Sequence, residues 1–382
     1  MSSPVSIVRC RSYGDREVSE RLRQALRLIG GVGAFVKKGD RVLLKPNLLF
    51  GKDPEKAVTT HPSVVKAVIE IVREAGGIPF IGDSPGIGST AKAAEKAGIK
   101  GVAEAAGCPI VEFNRPVLSQ KGRAKTFKHL EIDQAILEAD VLINLPKWKT
   151  HGMMLLTLGV KNLFGCIPGS RKALWHLRAG ADHNVFARML IDLYRIIQPS
   201  LTILDGVVGM EGNGPSSGRP IPLGLILASG DALSLDQIVC DLLGISRKAL
   251  LTNRTAFAQG MGREEIEVLG EKVNAVAIPR FEFPPSSRTD WNLPGFLRRA
   301  LSNALTARPV VERVKCKACD HCLEICPPKA LERKGKDLVF DYGRCIRCFC
   351  CQEICEEGAI FMKPGWAVKW KRRRGDAGTR KR

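Results

Sequence analysis

The fold of the C-terminal part of this chain is decided by two cysteine runs, Cys316-Lys-Ala-Cys-Asp-His-Cys-Leu-Glu-Ile-Cys326 and Cys345-Ile-Arg-Cys-Phe-Cys-Cys-Gln-Glu-Ile-Cys355. The second run repeats the first at an offset of 29 residues. The shared spacing, cysteine-x2-cysteine-x2-cysteine-x3-cysteine, is typical of cubane iron–sulfur ligands, because two-residue gaps wrap a tight loop around one face of a cluster. The repeat therefore predicts two [4Fe-4S] clusters.

The fourth cysteine of each run is expected to bind the cluster of the other run, as in two-cluster ferredoxins. The predicted ligands are Cys316, Cys319, Cys322 and Cys355 for cluster 1, and Cys345, Cys348, Cys351 and Cys326 for cluster 2. The 29-residue register favours Cys351 as the ligand and leaves its neighbour Cys350 as a spare thiol.

Zinc and disulfides are the alternatives for these cysteines. Structural zinc usually takes two cysteine pairs separated by a longer loop, and disulfides suit small secreted domains. The segment from Pro309 to Lys363 resembles a bacterial-type two-cluster ferredoxin domain, which supports clusters over both alternatives. It departs from that pattern at Glu356, where a proline is expected, and at the extra Cys350.

The composition predicts a globular protein of the cytoplasm. Hydrophobic residues make up 45% of the 382 residues, and no apolar run reaches the 18 residues typical of a membrane-spanning helix. The stretch from Met1 to Cys10 lacks the apolar centre of a signal peptide. Thirteen cysteines, eight of them assigned to clusters, indicate a reducing compartment.

A net charge of +20 is concentrated partly at the C-terminal end, where Lys363 to Arg382 hold nine Lys or Arg and one acid, Asp376. We expect residues 364–382 to form a solvated, disordered tail, since like charges repel and little apolar surface is present. The alternative is an electrostatic contact with nucleic acid, an anionic membrane or an acidic redox partner. No motif for sequence-specific nucleic-acid recognition accompanies the charge.

The first 285 residues alternate short apolar strands with amphipathic helices, which predicts an α/β domain with a large, mostly parallel sheet and helices on both faces. Residues 286–308 are expected to be a linker with a short helix, and 309–363 a small α+β ferredoxin-type domain. The strands that carry the argument are Arg41–Leu44, Ile78–Ile81, Val141–Leu145, Leu201–Leu204 and Leu223–Ala228.

Each of these five strands leads within two residues into glycine, proline or a charged residue, the last of them through Ser229-Gly-Asp231. Taken singly, such residues are ordinary turn formers. Ligands of open α/β sheets, however, bind outside the carboxyl ends of the strands, so five such exits predict one shared site. The candidate site residues are Lys45, His61, Asp83, Lys147, Lys149, His151, Lys161, His176, Asp205 and Glu211.

The residue types in this set suit an anionic ligand. The lysines at 45, 147, 149 and 161 would bind its charge, and the histidines at 61, 151 and 176 would move protons near neutral pH. The acids at 83, 205 and 211 would hold a metal, a ribose or a hydroxyl group. The densest basic block runs from Pro146 to His176. Neither a Walker loop nor a dinucleotide-binding glycine loop is present.

An ordered set of motifs resembles the family named domain of unknown function 362, from about Val5 to Leu243. The motifs are Lys45-Pro-Asn47, Thr60-His-Pro62, Gly82-Asp-Ser-Pro-Gly86, Pro146-Lys-Trp-Lys-Thr-His151, Leu158-Gly-Val-Lys-Asn-Leu-Phe-Gly165, Asp205-Gly206, Glu211-Gly-Asn-Gly-Pro215, Gly230-Asp231 and Leu235-Asp236. Members of that family often carry the same ferredoxin domain at the C terminus. The resemblance implies this architecture and leaves the substrate open.

The sequence favours an iron–sulfur protein that passes electrons to an anionic substrate or cofactor in the strand-exit pocket. One alternative is a non-enzymatic, ferredoxin-type electron carrier that docks on a redox partner protein. The other is a cluster-containing nucleic-acid binder that uses the basic tail.

Overall fold

The structure, a computed structural model, describes residues 3–119, 124–169, 171–285 and 306–365. The predicted linker helix and nearly all of the predicted basic tail lie outside these ranges. Ten of the described strands form one sheet: β1 Val5–Arg9, β2 Arg41–Pro46, β3 Ile78–Asp83, β4 Ile110–Glu112, β7 Val141–Leu145, β8 Lys147–His151, β9 Leu155–Thr157, β10 Leu201–Glu211, β11 Arg219–Ser229 and β12 Val268–Gly270. Strands β5 Pro116–Leu118 and β6 Glu131–Asp133 form a separate antiparallel pair.

The strand order is β12-β1-β11-β10-β7-β2-β3-β4, with β8 beside β10 and β9 beside β8. Strands β10, β7, β2, β3 and β4 are mutually parallel, which confirms the predicted mostly parallel sheet.

Strand β11 is antiparallel to both of its neighbours. The expectation that all five predicted strands end at one edge is therefore wrong for Leu223–Ala228. Ser229 pairs with Thr202 near the start of β10, so Asp231 follows at the opposite edge.

Two stretches that the sequence suggested as loops are strands. Strand β10 continues past Leu204 to Glu211, and the residues after Pro146 form β8. The long β10 is the cause, because it pairs with β7 through Leu201 and then with β8 through Asp205. The polar residues of this region therefore have regular, fixed backbone positions.

Helices cover both faces of the sheet: α1 Asp15–Leu28, α2 Pro62–Glu74, α3 Thr90–Lys96, α4 Ile99–Ala105, α5 Gln134–Glu138, α6 Gly159–Asn162, α7 Arg171–Ala179, α8 His183–Ile197, α9 Ala232–Leu242 and α10 Leu251–Ala258. Side chains of a strand alternate between the two faces. Val42 and Leu44 of β2 accordingly pack in the core that contains α1 and α2, whereas Leu43 packs with α8.

The C-terminal domain consists of two small antiparallel sheets and two short helices. Its elements are β13 Arg308–Val311, α11 His321–Glu324, β14 Leu331–Lys334, β15 Asp337–Phe340, α12 Cys350–Glu353 and β16 Ile360–Lys363. Strands β13 and β16 pair, and the predicted hairpin between the cysteine runs is present as β14–β15. Gly335 takes the left-handed conformation that this tight turn needs, with φ +61°.

The C-terminal domain packs directly on the large domain through α12. The buried Gln352 donates from Nε2 to the carbonyls of Asn213 and Gly214 at 3.1 Å, and its own carbonyl accepts from Ser216 Oγ at 3.1 Å. Phe349 lies in the same apolar core as residues of the large domain. Helix α12 is therefore part of the surface that faces the strand ends.

Candidate functional site

A cavity of about 100 Å³ lies between the carboxyl ends of the parallel strands and helix α12. Six of the ten predicted site residues line it: Lys45, Asp83, Lys149, His151, Lys161 and His176. The cysteine-bearing domain contributes Ile325, Cys350, Glu353 and Ile354 to the same wall. Residues from both domains thus enclose one space.

Lys45 and Asp83 form a buried ion pair at the ends of β2 and β3, with Nζ 2.8 Å from Oδ1. The other carboxylate oxygen of Asp83 accepts from the backbone N–H of Leu48 at 3.0 Å. Gly165 packs so closely against this pair that a Cβ there would lie 2.0 Å from Asp83 Oδ1. The charges of Lys45 and Asp83 therefore compensate each other, and position 165 must be glycine because a Cβ there would overlap the pair.

Lys149 is held by neutral acceptors. Its Nζ donates to Asn47 Oδ1 at 2.9 Å and to the carbonyl of Val58 at 2.6 Å. Asn47 in turn donates to Asn162 at 2.8 Å, and Asn162 donates to Asn144 at the same distance. Because burial disfavours the charged amine, the pKa of Lys149 falls to about 7. Lys149 can therefore give up a proton near neutral pH.

His151 is fixed in one tautomer. Its Nδ1 accepts from the backbone N–H groups of Met153 and Met154 at 3.1 and 3.2 Å, so the ring proton lies on Nε2. That atom is 2.8 Å from Oε1 of Glu353 on α12. Burial lowers the pKa of His151. Burial alone would raise the pKa of Glu353, but His151 and Lys161 outweigh it and bring the value to about 2.

Lys161 and His176 lie around the same two aromatic rings. The Lys161 ammonium is 4.9 Å from the centroid of Phe164 and 5.9 Å from that of Phe186. The imidazole of His176 stacks on Phe186 at 4.3 Å and meets the edge of Phe164 at 5.5 Å. Burial lowers the pKa of His176 to about 3 and also lowers that of Lys161. His176 is therefore neutral at physiological pH.

Lys172 and Thr157 are polar residues of the cavity wall in the large domain that were not among the predicted site residues. Lys172 donates to the carbonyl and the hydroxyl of Ser84, both at 2.6 Å, and burial lowers its pKa to about 7. Thr157 ends β9 opposite Lys149 and is also part of the wall. Both lie in the basic block from 146 to 176, which was the one sequence signal that pointed to them.

Three predicted site residues form a separate buried group around Tyr13 and do not line the cavity. Lys147 Nζ lies 2.8 Å from Asp205 Oδ2 and donates to Tyr13 Oη at 2.6 Å. Tyr13 donates to the other oxygen of Asp205 at 2.7 Å, and its ring stacks on His61 at 3.6 Å. These partners draw Lys147 and Asp205 away from the cavity, so the expectation of one pocket is wrong for both. The Lys147 ammonium, the Tyr13 hydroxyl and both carboxylate oxygens of Asp205 have protein partners, which indicates a structural role.

Glu211 also lies outside the cavity wall. Its Oε1 accepts from Arg219 at 3.0 Å and its Oε2 accepts from the backbone N–H of Glu282 at 2.7 Å. It therefore joins β10 and β11 to the segment that follows them.

The eight predicted ligand cysteines have the neighbours that the crossed assignment requires. Burial, together with the neighbouring thiols of Cys355, Cys319 and Cys316, raises the pKa of Cys322 to about 12. The corresponding group around Cys351 contains Cys348, Cys345 and Cys326, together with Cys322 from the first set. In the described part of the chain no three His, Cys, Asp or Glu side chains surround one point as ligands of a single metal ion. In a cubane, by contrast, each thiolate binds a different iron.

Cys350 occupies a distinct position between the cluster cysteines and the cavity. Its thiol hydrogen-bonds to that of Cys348, and this contact lowers the pKa of Cys348 and raises that of Cys350. Cys350 also forms part of the cavity wall. It is thus in contact with one predicted ligand and adjacent in sequence to another.

The chain belongs to the family described as domain of unknown function (DUF362), which it matches over residues 42–241. One relative of the chain is the thylakoid-associated protein sll1697 of Synechocystis sp.. It is 46% identical over 256 residues, which are 66% of this chain and 78% of that protein. The predicted family membership is confirmed.

The C-terminal region is similar to the pyruvate synthase subunit PorD of Thermotoga maritima, with 34% identity over 58 residues. The match covers 15% of this chain and 59% of that subunit, so less than two thirds of its length. This similarity is consistent with the predicted ferredoxin-type domain. Within the described ranges, none of the helices combines the length and the apolar character needed to cross a membrane.

Among solved structures, the lactate racemase apoprotein of Thermoanaerobacterium thermosaccharolyticum superposes with a TM-score of 0.43 and 13% identity. The superposition covers 63% of this chain and 56% of that one. No functional conclusion follows from a similarity of this size.

Proposed function

We propose that this chain is an iron–sulfur protein in which two [4Fe-4S] clusters pass electrons to a small anionic molecule held in the cavity. The observation that carries the proposal is the double role of α12. One turn of this helix bears Cys351, a predicted ligand of cluster 2, and also bears Cys350 and Glu353, which line the cavity. A molecule in the cavity would therefore lie beside a cluster ligand.

The clusters would supply one-electron storage and transfer when bound. The cysteines fit this role because both runs meet as two groups of four thiols, in the crossed arrangement of two-cluster ferredoxins. Cys319 of the first group is exposed, whereas Cys351 of the second group is buried and adjoins Cys350 of the cavity wall in sequence. We propose that electrons enter from a redox partner at cluster 1 and leave through cluster 2.

The residues of the large domain would bind the acceptor and handle its protons. Lys161 presents a cation to the cavity, and Lys149 and Lys172 have pKa values of about 7, which suit proton donation at neutral pH. His151 has both ring nitrogens engaged, so it positions α12 through Glu353 and is not a free base. Its predicted role as a proton carrier is accordingly replaced by a positioning role.

The test is reoxidation of the reduced protein. Protein purified without oxygen is reduced with dithionite, freed of excess reductant and mixed with inorganic anions and a panel of small carboxylates that carry a reducible group, such as 2-oxo acids and 2-enoates. Reduction of such a group takes two electrons, one from each reduced cluster, and two protons. We expect at least one carboxylate to restore the visible absorbance of the oxidised clusters faster than buffer does, and the variant Lys161→Met to slow that reaction. Equal reoxidation by every anion and by buffer would contradict the proposal.

An electron carrier that docks on a partner protein is the second candidate. It is favoured by the exposed Cys319 and by Val314, which is 96% exposed beside the first cysteine run. Apolar surface next to a cluster is suited to transient docking. Rapid electron transfer to a redox protein, combined with no reaction with any small anion, would support this candidate. The nucleic-acid alternative depended on the basic tail, which lies almost wholly outside the described residues.

A further inference from the structure

We infer that the cavity binds a small carboxylate monoanion, recognised by Lys161, His176 and Thr157. The inference rests on the proposed function for the place of the site and goes beyond it in naming the ligand class and the residues that select it.

The first argument is that these three residues have polar groups without a protein partner. His176 Nδ1 and Thr157 Oγ1 are buried, with the two residues each 4% exposed, and neither atom has a hydrogen-bond partner in the described part of the chain. Among the described residues, the Lys161 ammonium contacts two aromatic rings but no acceptor. Buried polar groups are nearly always hydrogen-bonded, so unpartnered groups around one cavity indicate a missing ligand.

The second argument concerns charge. Both carboxylates of the cavity wall are already paired, Asp83 with Lys45 and Glu353 with His151. The other two lysines of the wall donate to neutral oxygens. Among the described residues, Lys161 is thus the lysine of the wall whose ammonium has no oxygen acceptor, and an anion in the cavity would supply one. A monoanion supplies this acceptor with one negative charge for the one ammonium, and its carboxylate oxygens can also accept from Thr157 and His176.

The third argument is size and polarity. Pockets for drug-sized ligands occupy roughly 300–1,000 Å³, whereas this cavity measures about 100 Å³. A nucleotide is too large for this space. Leu49, Ile325 and Ile354 form an apolar part of the wall, which suits a short hydrocarbon chain. A carboxylate with a few carbon atoms can bind Lys161 through its charge and pack its hydrocarbon chain against the apolar part of the wall. Inorganic phosphate can make only the charged contact.

The experiment is calorimetric titration of the oxidised, anaerobic, full-length protein with propionate, with its uncharged isostere propionamide, and with inorganic phosphate. Because a hydrogen bond to a charged group contributes about 1.5–3 kcal/mol, we expect propionate to bind roughly tenfold or more tightly than propionamide. Phosphate should bind more weakly than propionate. Equal affinities for propionate and propionamide, or tighter binding of phosphate, would overturn the inference.

The variants assign the recognition residues. Lys161→Met should weaken propionate binding by roughly tenfold and leave propionamide unchanged, because only the charged contact is lost. Thr157→Val and His176→Phe keep the shape of the side chain and should each weaken propionate binding by a smaller factor. Lys37→Met is the matched control, since this exposed lysine precedes β2 at the opposite edge of the sheet. Circular dichroism of each variant confirms that it is folded.

The outcome is separable from that of the proposed function. If propionate binds as expected but no carboxylate reoxidises the reduced clusters, the ligand class stands and electron transfer to it is wrong. The other case is reoxidation with an anion whose affinity is the same for the unmodified protein and for Lys161→Met, His176→Phe and Thr157→Val. In that case the recognition site is wrong and electron transfer stands.

Discussion

His151 Nε2 lies 2.8 Å from Glu353 Oε1, and this contact joins strand β8 of the large domain to helix α12 of the cysteine-bearing domain. The two residues are 202 positions apart in the chain. The geometry places the ring proton of His151 between the two domains, because Nδ1 is occupied by backbone N–H groups. The contact therefore holds α12 against the cavity.

The first prediction tests this contact. Glu353→Leu leaves the His151 N–H buried without an acceptor, so we expect the free energy of unfolding to fall by about 1–3 kcal/mol. Glu353→Gln keeps an acceptor oxygen and should cost less. Denaturant unfolding under anaerobic conditions measures both. Equal losses for the two variants would show that the hydrogen bond is not the source of the stability.

The second prediction concerns the cluster ligands. The full-length protein purified without oxygen should contain about eight irons and eight sulfides, as two cubane clusters require. Cys350→Ala should retain both clusters, because Cys350 contacts Cys348 without belonging to either group of four. Metal analysis and electron paramagnetic resonance of the reduced protein measure this. Stoichiometric zinc with negligible iron, or loss of half of the iron in the variant, would contradict the ligand assignment.

The third prediction concerns Gly165. Replacement by alanine would place a Cβ 2.0 Å from Asp83 Oδ1 and 2.7 Å from Lys45 Nζ. Because separating a buried ion pair leaves a charge uncompensated, we expect Gly165→Ala to lower the free energy of unfolding by roughly 3–5 kcal/mol. Gly101→Ala is the control, since Gly101 lies within helix α4 with open space around it. That substitution should be neutral or stabilising by up to about 1 kcal/mol.

The fourth prediction separates the Tyr13 group from the cavity. Tyr13→Phe removes one partner from both Lys147 and Asp205, so the free energy of unfolding should fall by about 1–3 kcal/mol. The affinity for propionate should not change, because none of these residues lines the cavity. If Tyr13→Phe has normal stability but a much lower affinity for propionate, the Tyr13 group belongs to the binding site and the prediction is wrong.

The fifth prediction concerns pH. Lys149 and Lys172 are protonated below their pKa values of about 7 and neutral above them. An anion in the cavity favours their charged forms, so binding takes up protons and the affinity for propionate should fall as pH rises through about 7. Lys172→Met should show a weaker pH dependence in calorimetric titrations. An affinity that is flat or that rises with pH would contradict the prediction.

The sequence alone determined the parts of this protein that depend on local spacing. The prediction of crossed cysteine groups rests on two-residue gaps and a 29-residue repeat, which constrain a few neighbouring residues at a time, and on the ligand exchange typical of two-cluster ferredoxins. The alternation of strands and helices, and the mostly parallel sheet, follow from hydrophobic periodicity in the same way. The assignment of Lys45 and Asp83 to the site follows from their positions at the ends of parallel strands. The assignment of Lys149, His151, Lys161 and His176 follows from the basic block between Pro146 and His176, and all six residues line the cavity.

The tertiary structure decided everything that depends on contacts between distant segments. The antiparallel direction of β11 depends on its pairing with β1 and β10, which no local pattern records. Lys147 does not line the cavity because its ammonium contacts Asp205 and Tyr13 instead. Glu353 and Cys350 joined the cavity because α12 packs against the large domain. A buried charged or polar side chain must contact a partner, because burial without one costs free energy, and the fold as a whole determines which partner is within reach.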